Sequence, residues 1–190
     1  LPIGKWVLGQ ACLRARDLRA RGLDCGPVFV NVTAREFFAR GMPAAVEEAI
    51  VATGIPRAAI GLEISENAFR VDDRVVERLN VLRGWGTPVV IDHFGTGSSS
   101  LVALRSFPVD GVKIDRRLIA AVEKSRPDVE IVKSIVAFCY AAGRRVIAVG
   151  VEREEQARLL RSLGCDVLQG FHVSRPLDAD ALVRYLEARR

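Results

Sequence analysis

Polar side chains recur at the carboxyl ends of short apolar runs in this chain. These strand-end residues are Asn31, Glu63, Asp92, Lys113 and Gln169. Asn, Glu and Asp offer only oxygen atoms, and an all-oxygen ligand set suits Mg²⁺, Mn²⁺ or Ca²⁺. A lysine beside such a site can neutralise phosphate oxygens or position a water molecule. Since no Ser-His or Cys-His pair adjoins these residues, the pattern favours metal-assisted hydrolysis of a phosphoester.

Two plainer interpretations of the same residues stay open. A strand-end aspartate can cap the helix that follows it. Lys113 can be the buried half of an ion pair with Asp115 or Glu63. The spacing of the residues along the sequence fits these roles as well as it fits a catalytic site.

The apolar runs have strand length, and amphipathic stretches of helical length separate them. The predicted strands are 28–32, 60–64, 88–92, 111–115, 145–149 and 166–169. The predicted helices lie near 3–21, 43–53, 72–84, 98–105, 128–142, 153–163 and 179–189. Apolar strands that alternate with helices indicate a parallel sheet covered on both faces. No linker or repeat interrupts the series, so residues 1–190 are predicted to form one domain.

Strand–helix units in series fit either an open doubly wound sheet or a (β/α) barrel. In a barrel, each strand contributes a residue to one ring at the carboxyl face. An open sheet instead concentrates its ligand contacts at a switch point. No GxGxxG or Walker motif follows any predicted strand. Polar residues at nearly every strand end therefore favour a barrel, short by two strands at its N-terminal side.

Charge, cysteine usage and hydropathy exclude several classes of protein. The net charge is +5, but basic residues alternate with acidic ones along the predicted helices, so neither nucleic acid nor a membrane is an expected partner. No apolar run approaches the roughly 20 residues of a membrane helix. Cys12, Cys25, Cys139 and Cys165 lack metal-ligand spacing and are expected to be buried, reduced thiols of a cytoplasmic protein. The chain does not begin with Met, so we expect it to be part of a longer protein.

Five segments closely resemble the EAL domain, in order and at the family's spacing. They are residues 31–37, 62–67, 91–101, 112–116 and 163–170, and the opening residues 2–8 resemble the helix after the family's second strand. EAL domains are bacterial phosphodiesterases that linearise cyclic di-GMP with two divalent cations, Mg²⁺ or Mn²⁺. The resemblance implies an α/β fold, a TIM-like (β/α) barrel of the EAL type that lacks roughly its first two strands.

The resemblance also implies roles for individual residues. The metal-ligand positions are Asn31, Glu63 and Asp92. Lys113 matches the lysine near the attacking water, and Glu152 matches the second glutamate of the family's A-E-G-V-E motif. Glu66 matches the glutamate that supports the loop after the family's Asp-Asp pair. The positions expected to contact the nucleotide are Arg35, Lys113, Asp115, Glu152, Gln169, Phe171 and Arg175.

The chain departs from the family's pattern at several points. The Glu-Ala-Leu strand, whose Glu binds metal, is absent from this sequence. The Asp-Asp pair is Asp92-His93, and a neutral imidazole suits Mg²⁺ poorly, so His93 either binds a metal or only forms hydrogen bonds in its loop. Val149 replaces the first acidic residue of the A-E-G-V-E motif and offers no ligand atom. Ser98 stands where the family usually has an aromatic residue.

These departures predict a degenerate EAL domain that lacks phosphodiesterase activity and holds no metal cofactor. We expect it to bind cyclic di-GMP as a receptor and to regulate other domains of a longer signalling protein, with a homodimer as a further expectation. Two alternatives stay open. One is a protein-interaction module that no longer binds nucleotide, and the other is an active Mg²⁺- or Mn²⁺-dependent phosphodiesterase in which His93 is a ligand.

Overall fold

The computed structural model describes residues 2–23, 26–39, 41–70, 74–95 and 101–189. Its strands are β1 Val28–Val32, β2 Ile60–Ser65, β3 Val89–Phe94, β4 Gly111–Ile114, β5 Arg145–Val149 and β6 Val167–Gln169. Its α-helices are α1 Pro2–Ala20, α2 Ala34–Phe37, α3 Met42–Thr53, α4 Val75–Gly84, α5 Leu101–Ser106, α6 Arg116–Ala121, α7 Arg126–Ala141, α8 Glu154–Ser162 and α9 Ala179–Glu187. In the described part of the chain, no helix combines the length and the hydropathy needed to cross a membrane.

All the predicted strands are present, with ends that differ by at most two residues. The structure adds two short helices that the hydropathy pattern did not predict, α2 and α6, because one turn or so is too short to show a helical period. Both begin at a side-chain cap. Thr33 accepts a hydrogen bond from the backbone of Glu36, and Asp115 accepts one from the backbone of Arg117. Residues 72–73 and 98–100 of two predicted helices lie outside the described residues.

The first compact unit comprises Leu1–Ile64, Glu77–Val89 and Pro176–Arg190. In it β1 and β2 pair in parallel, from Val28 opposite Ile60 to Val32 opposite Ile64. Helix α1 packs against both β1 and α3. The buried side chains include Leu8, Val30, Val46, Ile60 and Leu62. Each fully buried aliphatic side chain contributes roughly 1.5–3 kcal/mol, so this core stabilises the strand ends that carry Asn31 and Glu63.

The second compact unit comprises Ser65–Val76 and Val90–Arg175. Its strands pair in parallel in the order β3, β4, β5, β6. Helix α7 packs against β4 and β5, and α6 packs against α7 and β5. Strand β4 is buried along its whole length, as expected for a parallel strand covered on both faces. Its one charged residue, Lys113, is therefore held inside the unit.

The cysteines that the structure describes are buried and free, as predicted. They are Cys12, Cys139 and Cys165, whereas Cys25 lies outside the described residues. Burial raises the pKa of Cys139 to about 11, and burial with the nearby Asp166 charge raises the pKa of Cys165 to about 12. Both thiols are therefore protonated at neutral pH and are poor nucleophiles.

Candidate functional site

In the first unit, β1 and β2 bring Asn31 and Glu63 side by side. The register pairs these two residues directly. Register partners on parallel strands point to the same face of a sheet, and neighbouring strands lie roughly 4.8 Å apart. Asn31 is exposed and Glu63 is half-buried. The structure therefore places two of the predicted metal-ligand positions together, and their role as ligands stays a prediction.

Helix α2 follows β1 directly and carries Arg35 on an exposed position. Its start is fixed by a reciprocal cap. The Thr33 hydroxyl accepts a hydrogen bond from the Glu36 backbone N–H at 3.2 Å, and Glu36 Oε2 accepts from the Thr33 backbone N–H at 3.1 Å and from its hydroxyl at 2.7 Å. These hydrogen bonds from the Thr33 hydroxyl and backbone lower the pKa of Glu36. The carboxylate therefore keeps its capping role at neutral pH.

The other end of α2 is fixed by Arg78, which projects from α4. Its guanidinium donates hydrogen bonds to the carbonyl oxygens of Phe37 at 2.7 Å, Phe38 at 2.9 Å and Ala39 at 2.9 Å. It also lies 5.9 Å from the centroid of the Phe38 ring. The last carbonyl groups of a helix lack partners within the helix, and a guanidinium fork satisfies several of them at once. Arg78 thereby fixes the segment that carries Arg35.

In the second unit, the His93 ring lies between two carboxylates. His93 Nδ1 is 2.9 Å from Asp115 Oδ2, and His93 Nε2 is 3.4 Å from Asp92 Oδ2. The His93 backbone N–H donates to Asp92 Oδ1 at 2.9 Å. The backbone of His93 has φ +60°, a left-handed conformation that is uncommon outside glycine. Of the two roles predicted for His93, the structure shows the hydrogen-bonding contacts, and metal binding by His93 stays a prediction.

Lys113 lies in the middle of this cluster with only 4% of its surface exposed. Its Nζ is 4.0 Å from Asp92 Oδ1, so an ion pair of the kind predicted from the sequence is present, with Asp92 as the observed partner. A buried ammonium group needs such a partner, because an isolated charge in the interior costs several kcal/mol.

Asp115 joins the cluster to α6. Its Oδ1 accepts hydrogen bonds from the Arg117 backbone N–H at 2.9 Å and from Arg117 Nε at 3.1 Å. Burial by itself raises the pKa of Asp115, but the hydrogen bonds from the Arg117 backbone, from His93 and from the Arg117 side chain outweigh burial, and the net pKa is lowered. Asp115 is therefore ionised at neutral pH. The predicted alternative, in which a strand-end aspartate caps the next helix, is confirmed for this residue.

Glu66 follows β2 and is almost completely buried, with 3% of its surface exposed. Its Oε2 accepts a hydrogen bond from the Gly95 backbone N–H at 3.1 Å. Gly95 follows β3, so Glu66 contacts the start of the loop that the resemblance assigns to it. The rest of that loop, residues 96–100 with Ser98, lies outside the described residues.

The ends of β5 and β6 are tied together by backbone contacts. Val149 is the register partner of Gln169. The Gln169 carbonyl oxygen accepts hydrogen bonds from the N–H groups of Gly150 at 2.8 Å and Val151 at 3.0 Å. A Cβ atom on Gly170 would overlap the Val151 backbone, so this close approach requires glycine. A half-buried valine side chain thus stands where the family has an acidic residue.

An exposed aromatic ring follows β6. The Phe171 ring is 54% exposed, and the Arg175 guanidinium lies 4.8 Å from its centroid. Between them in sequence, His172 Nε2 lies 3.1 Å from Glu154 Oε2 of α8. Glu152, which precedes α8, is exposed. These contacts fix the segment after β6 against the start of α8.

Sequence analysis missed three residues that position this site: Arg78, Arg117 and Gln156. Gln156 is 1% exposed, its Oε1 accepts from the backbone N–H groups of Glu152 and Arg153, and its Nε2 donates to the Ile119 carbonyl. A glutamine three residues into a helix is a known capping signal and could have been found. Arg78 had no such signal, because its carbonyl partners lie about 40 residues earlier in the chain.

The donor set of the second unit fits a pair of divalent cations poorly. Two-metal hydrolysis needs two cations held close together by anionic ligands. Here Asp92 and Asp115 face the His93 ring, and Val149 offers no ligand atom. Among the residues that the structure describes, no three His, Cys, Asp or Glu side chains are grouped closely enough to hold a metal ion.

Comparison of the sequence with known proteins identifies relatives along the whole chain. The profile of the EAL domain matches residues 1–176. The cyclic di-GMP phosphodiesterase NbdA of Pseudomonas aeruginosa is 36% identical over 186 residues, which are 97% of this chain and 24% of NbdA. The oxygen sensor protein DosP of Escherichia coli is 31% identical over 187 residues, 98% of this chain and 23% of DosP. The chain therefore spans about a quarter of the length of these curated relatives.

Solved structures match the fold closely. The MucR phosphodiesterase in complex with c-di-GMP has a TM-score of 0.91 and 35% identity over 95% of this chain and 74% of that one. The EAL domain of DcpA from Mycobacterium smegmatis has a TM-score of 0.92 and 33% identity over 100% of this chain and 85% of that one. The predicted TIM-like (β/α) barrel of the EAL type is confirmed, and the open doubly wound sheet is not the fold.

Proposed function

The chain belongs to the EAL domain family, whose place is in cyclic di-GMP signalling, and from that premise we propose that it binds cyclic di-GMP as a receptor without hydrolysing it. The observation that carries the proposal is the position of His93. Its ring nitrogens face Asp92 and Asp115 at 3.4 and 2.9 Å, where hydrolysis would need carboxylates turned toward metal ions.

Loss of hydrolysis follows from charge. Two bound dications repel each other, and anionic ligands must offset this repulsion. Replacing an acidic residue by His93 and another by Val149 removes two negative charges from the family's ligand ring. When bound, the metal pair would supply an activated water and stabilise the leaving oxygen. The carboxylates of Asp92 and Asp115 instead form hydrogen bonds and ion pairs within the protein.

Binding of the nucleotide does not depend on those charges. A guanine base can stack on an exposed aromatic ring, which is worth about 1–3 kcal/mol per base in other nucleic-acid binding proteins. Phe171 offers such a ring, and Arg175 beside it is a cation suited to a phosphate group. Gln169, which is exposed at the end of β6, supplies a further polar donor. The structure of the MucR phosphodiesterase with c-di-GMP, which shares 35% identity, supports this ligand.

The relatives and the cysteines support proposals for the domain context and the cellular location of the receptor. Because the chain spans about a quarter of NbdA and of DosP, we propose that it regulates other domains of a longer signalling protein. Buried free thiols at Cys12, Cys139 and Cys165 fit the reducing cytoplasm, where we place the protein. Formation of a homodimer is proposed as well, as predicted from the resemblance.

The test is titration calorimetry of cyclic di-GMP into the protein, in EDTA and then in Mn²⁺, followed by chromatography of the nucleotide. We expect saturable binding in EDTA and no linear product in Mn²⁺. Phe171→Ala and Arg175→Gln should each weaken binding about tenfold. Arg158→Gln is the matched control, because Arg158 lies on the exposed face of α8 and pairs only with Glu154 and Glu155 among the described residues.

Two outcomes would overturn the receptor proposal, and each points to one alternative. Linear dinucleotide in Mn²⁺ would identify an active phosphodiesterase, as the names of NbdA and MucR suggest for those relatives. No binding in either buffer would identify a protein-interaction module that has lost its nucleotide.

A further inference from the structure

A polar cavity lies in the second unit, between the first residues of α6 and the first residues of α8. Its volume is about 190 Å³. The charged side chains on its wall are Arg116, Arg117, Arg153 and Glu152. Three arginines and one glutamate therefore line a small, solvent-accessible space.

Two of these arginines are oriented by carboxylates that do not line the cavity. Arg117 contacts Asp115 through Nε at 3.1 Å, and Arg117 also lines the cavity. Arg153 contacts Glu123 through Nε at 2.9 Å and through one terminal nitrogen. A guanidinium held along one edge keeps donors on its other edge, in the geometry that suits a planar or tetrahedral oxyanion.

The third arginine is positioned by its backbone. Gly150 has φ +83°, and a Cβ atom built on it would lie 2.6 Å from Arg116 Cβ and 3.3 Å from Arg116 Cα. Glycine thus allows the turn after β5 to approach the start of α6 closely. Among the described residues Arg116 has no carboxylate partner, and its side chain is exposed. It is the guanidinium most available to an anion.

We propose that this arginine cavity binds the phosphate monoester of a small hydroxyl-bearing compound. A phosphate monoester carries close to two negative charges at neutral pH and accepts paired hydrogen bonds from guanidinium groups. Glu152 is the one anionic residue among the described residues that line the cavity, and its carboxylate can accept a hydrogen bond from a hydroxyl group of the ligand near the phosphate. The cavity shares Glu152 with the positions expected to contact cyclic di-GMP, but the three arginines that carry this inference are not among those positions, so it does not rest on cyclic di-GMP binding.

The experiment is calorimetry of the intact protein with three probes at constant ionic strength: ribose 5-phosphate, inorganic phosphate and ribose. We expect ribose 5-phosphate to bind, inorganic phosphate to bind more weakly and ribose not to bind. Arg116→Gln and Arg153→Gln should each weaken both phosphate probes about tenfold, the size of a lost charge-assisted hydrogen bond. Glu152→Gln should weaken ribose 5-phosphate and leave inorganic phosphate unchanged or tighter.

Arg158→Gln is again the control, since it removes one positive charge from α8 outside the cavity. Arg116 is exposed, so its substitution should leave the melting temperature unchanged. Equal weakening by Arg158→Gln would show a non-specific charge effect and overturn the proposal. So would wild-type affinity in both cavity variants, or no saturable binding of either phosphate probe. Cyclic di-GMP titration of the wild type and of the Arg116→Gln and Arg153→Gln variants reports on the receptor proposal separately, because neither arginine is among the positions expected to contact that nucleotide.

Discussion

The strand ends of the two units carry similar polar residues but differ in how far these residues are buried. In the first unit, Asn31 and Glu63 lie in register, and Asn31 is exposed to solvent. In the second unit, Asp92 and Asp115 are nearly buried and contact the His93 ring. An incoming cation or nucleotide in the second unit must compete with partners that the protein already supplies. A position at the end of a parallel strand therefore does not determine the chemistry of the residue there, because the neighbouring side chains determine it.

The largest effect should come from removing the buried cation of the second unit. Lys113→Met leaves Asp92 with one partner fewer in a buried site, and we expect a loss of about 3 kcal/mol in the free energy of unfolding. Urea denaturation measures it. The double variant Lys113→Met, Asp92→Asn should recover part of the loss, because the unpaired charge is gone. Glu63→Gln in the first unit should cost less than Lys113→Met, and an equal cost would remove the contrast between the units.

In both units an arginine side chain donates hydrogen bonds to the carbonyl groups at the end of a helix. The two units therefore resemble each other at these helix ends and differ at their strand ends. Arg144 donates to the carbonyl oxygens of Leu104 and Phe107, both at 2.6 Å, as Arg78 does at the end of α2. Arg78→Ala and Arg144→Ala should each lower the free energy of unfolding by about 2 kcal/mol, since partly buried carbonyl groups lose charged donors.

The substitution Arg78→Lys tests whether the planar guanidinium geometry matters at the end of α2. Arg78→Lys should recover only a minor part of the loss, because an ammonium group cannot span three carbonyl groups as a planar fork does. Hydrogen exchange at residues 34–39 should speed up in Arg78→Ala and stay unchanged in Arg144→Ala. Full recovery of stability in Arg78→Lys would contradict the role given to the fork.

Acidic residues introduced at positions 93 and 149 should make the second unit bind a divalent cation more tightly. The double substitution His93→Asp, Val149→Glu restores the two acidic positions of the family's ring. We expect the Mn²⁺ dissociation constant to fall about tenfold or more, which corresponds to roughly 1.4 kcal/mol. Calorimetry with Mn²⁺ on the intact protein measures it. Unchanged Mn²⁺ affinity would show that these two residues do not explain the poor fit to metal.

The strands, the main helices and the strand-end residues could be predicted from the sequence, because apolar runs and polar ends are local signals. The EAL-type barrel followed from motifs that each span a few residues. Contacts between distant segments could not be read in this way. The His93 ring meets Asp115 across 22 residues, and Arg78 meets the end of α2 across about 40. No local pattern in the sequence encodes either contact, since tertiary packing brings these residues together.

Lys113 gives a second example of a contact that could not be predicted from the sequence. Its burial in β4 was predictable from the apolar run around it, and a buried lysine requires an anion nearby. Which anion depends on the register between β3 and β4, where the pairing is irregular between Ile91 and Phe94. Sequence reasoning offered Asp115 and Glu63, and it did not name Asp92, with which the structure shows an ion pair.

The smallest expected effect is a difference in acid sensitivity between the two units. The pKa of Asp115 is lowered in the folded protein, so its carboxylate stabilises the fold above the unfolded-state pKa, and this contribution is lost as the pH falls through the lower folded-state pKa. Asp115→Asn keeps a cap for α6 but removes the titration. Urea denaturation should show a stability gap between wild type and this variant that is full at neutral pH and closes below about pH 4. Glu36→Gln in the first unit alters an exposed cap whose pKa is also lowered, so its gap should close in the same direction but be smaller, because solvent screens its charge. A larger gap for Glu36 than for Asp115 would mean that burial of the carboxylates does not distinguish the two units.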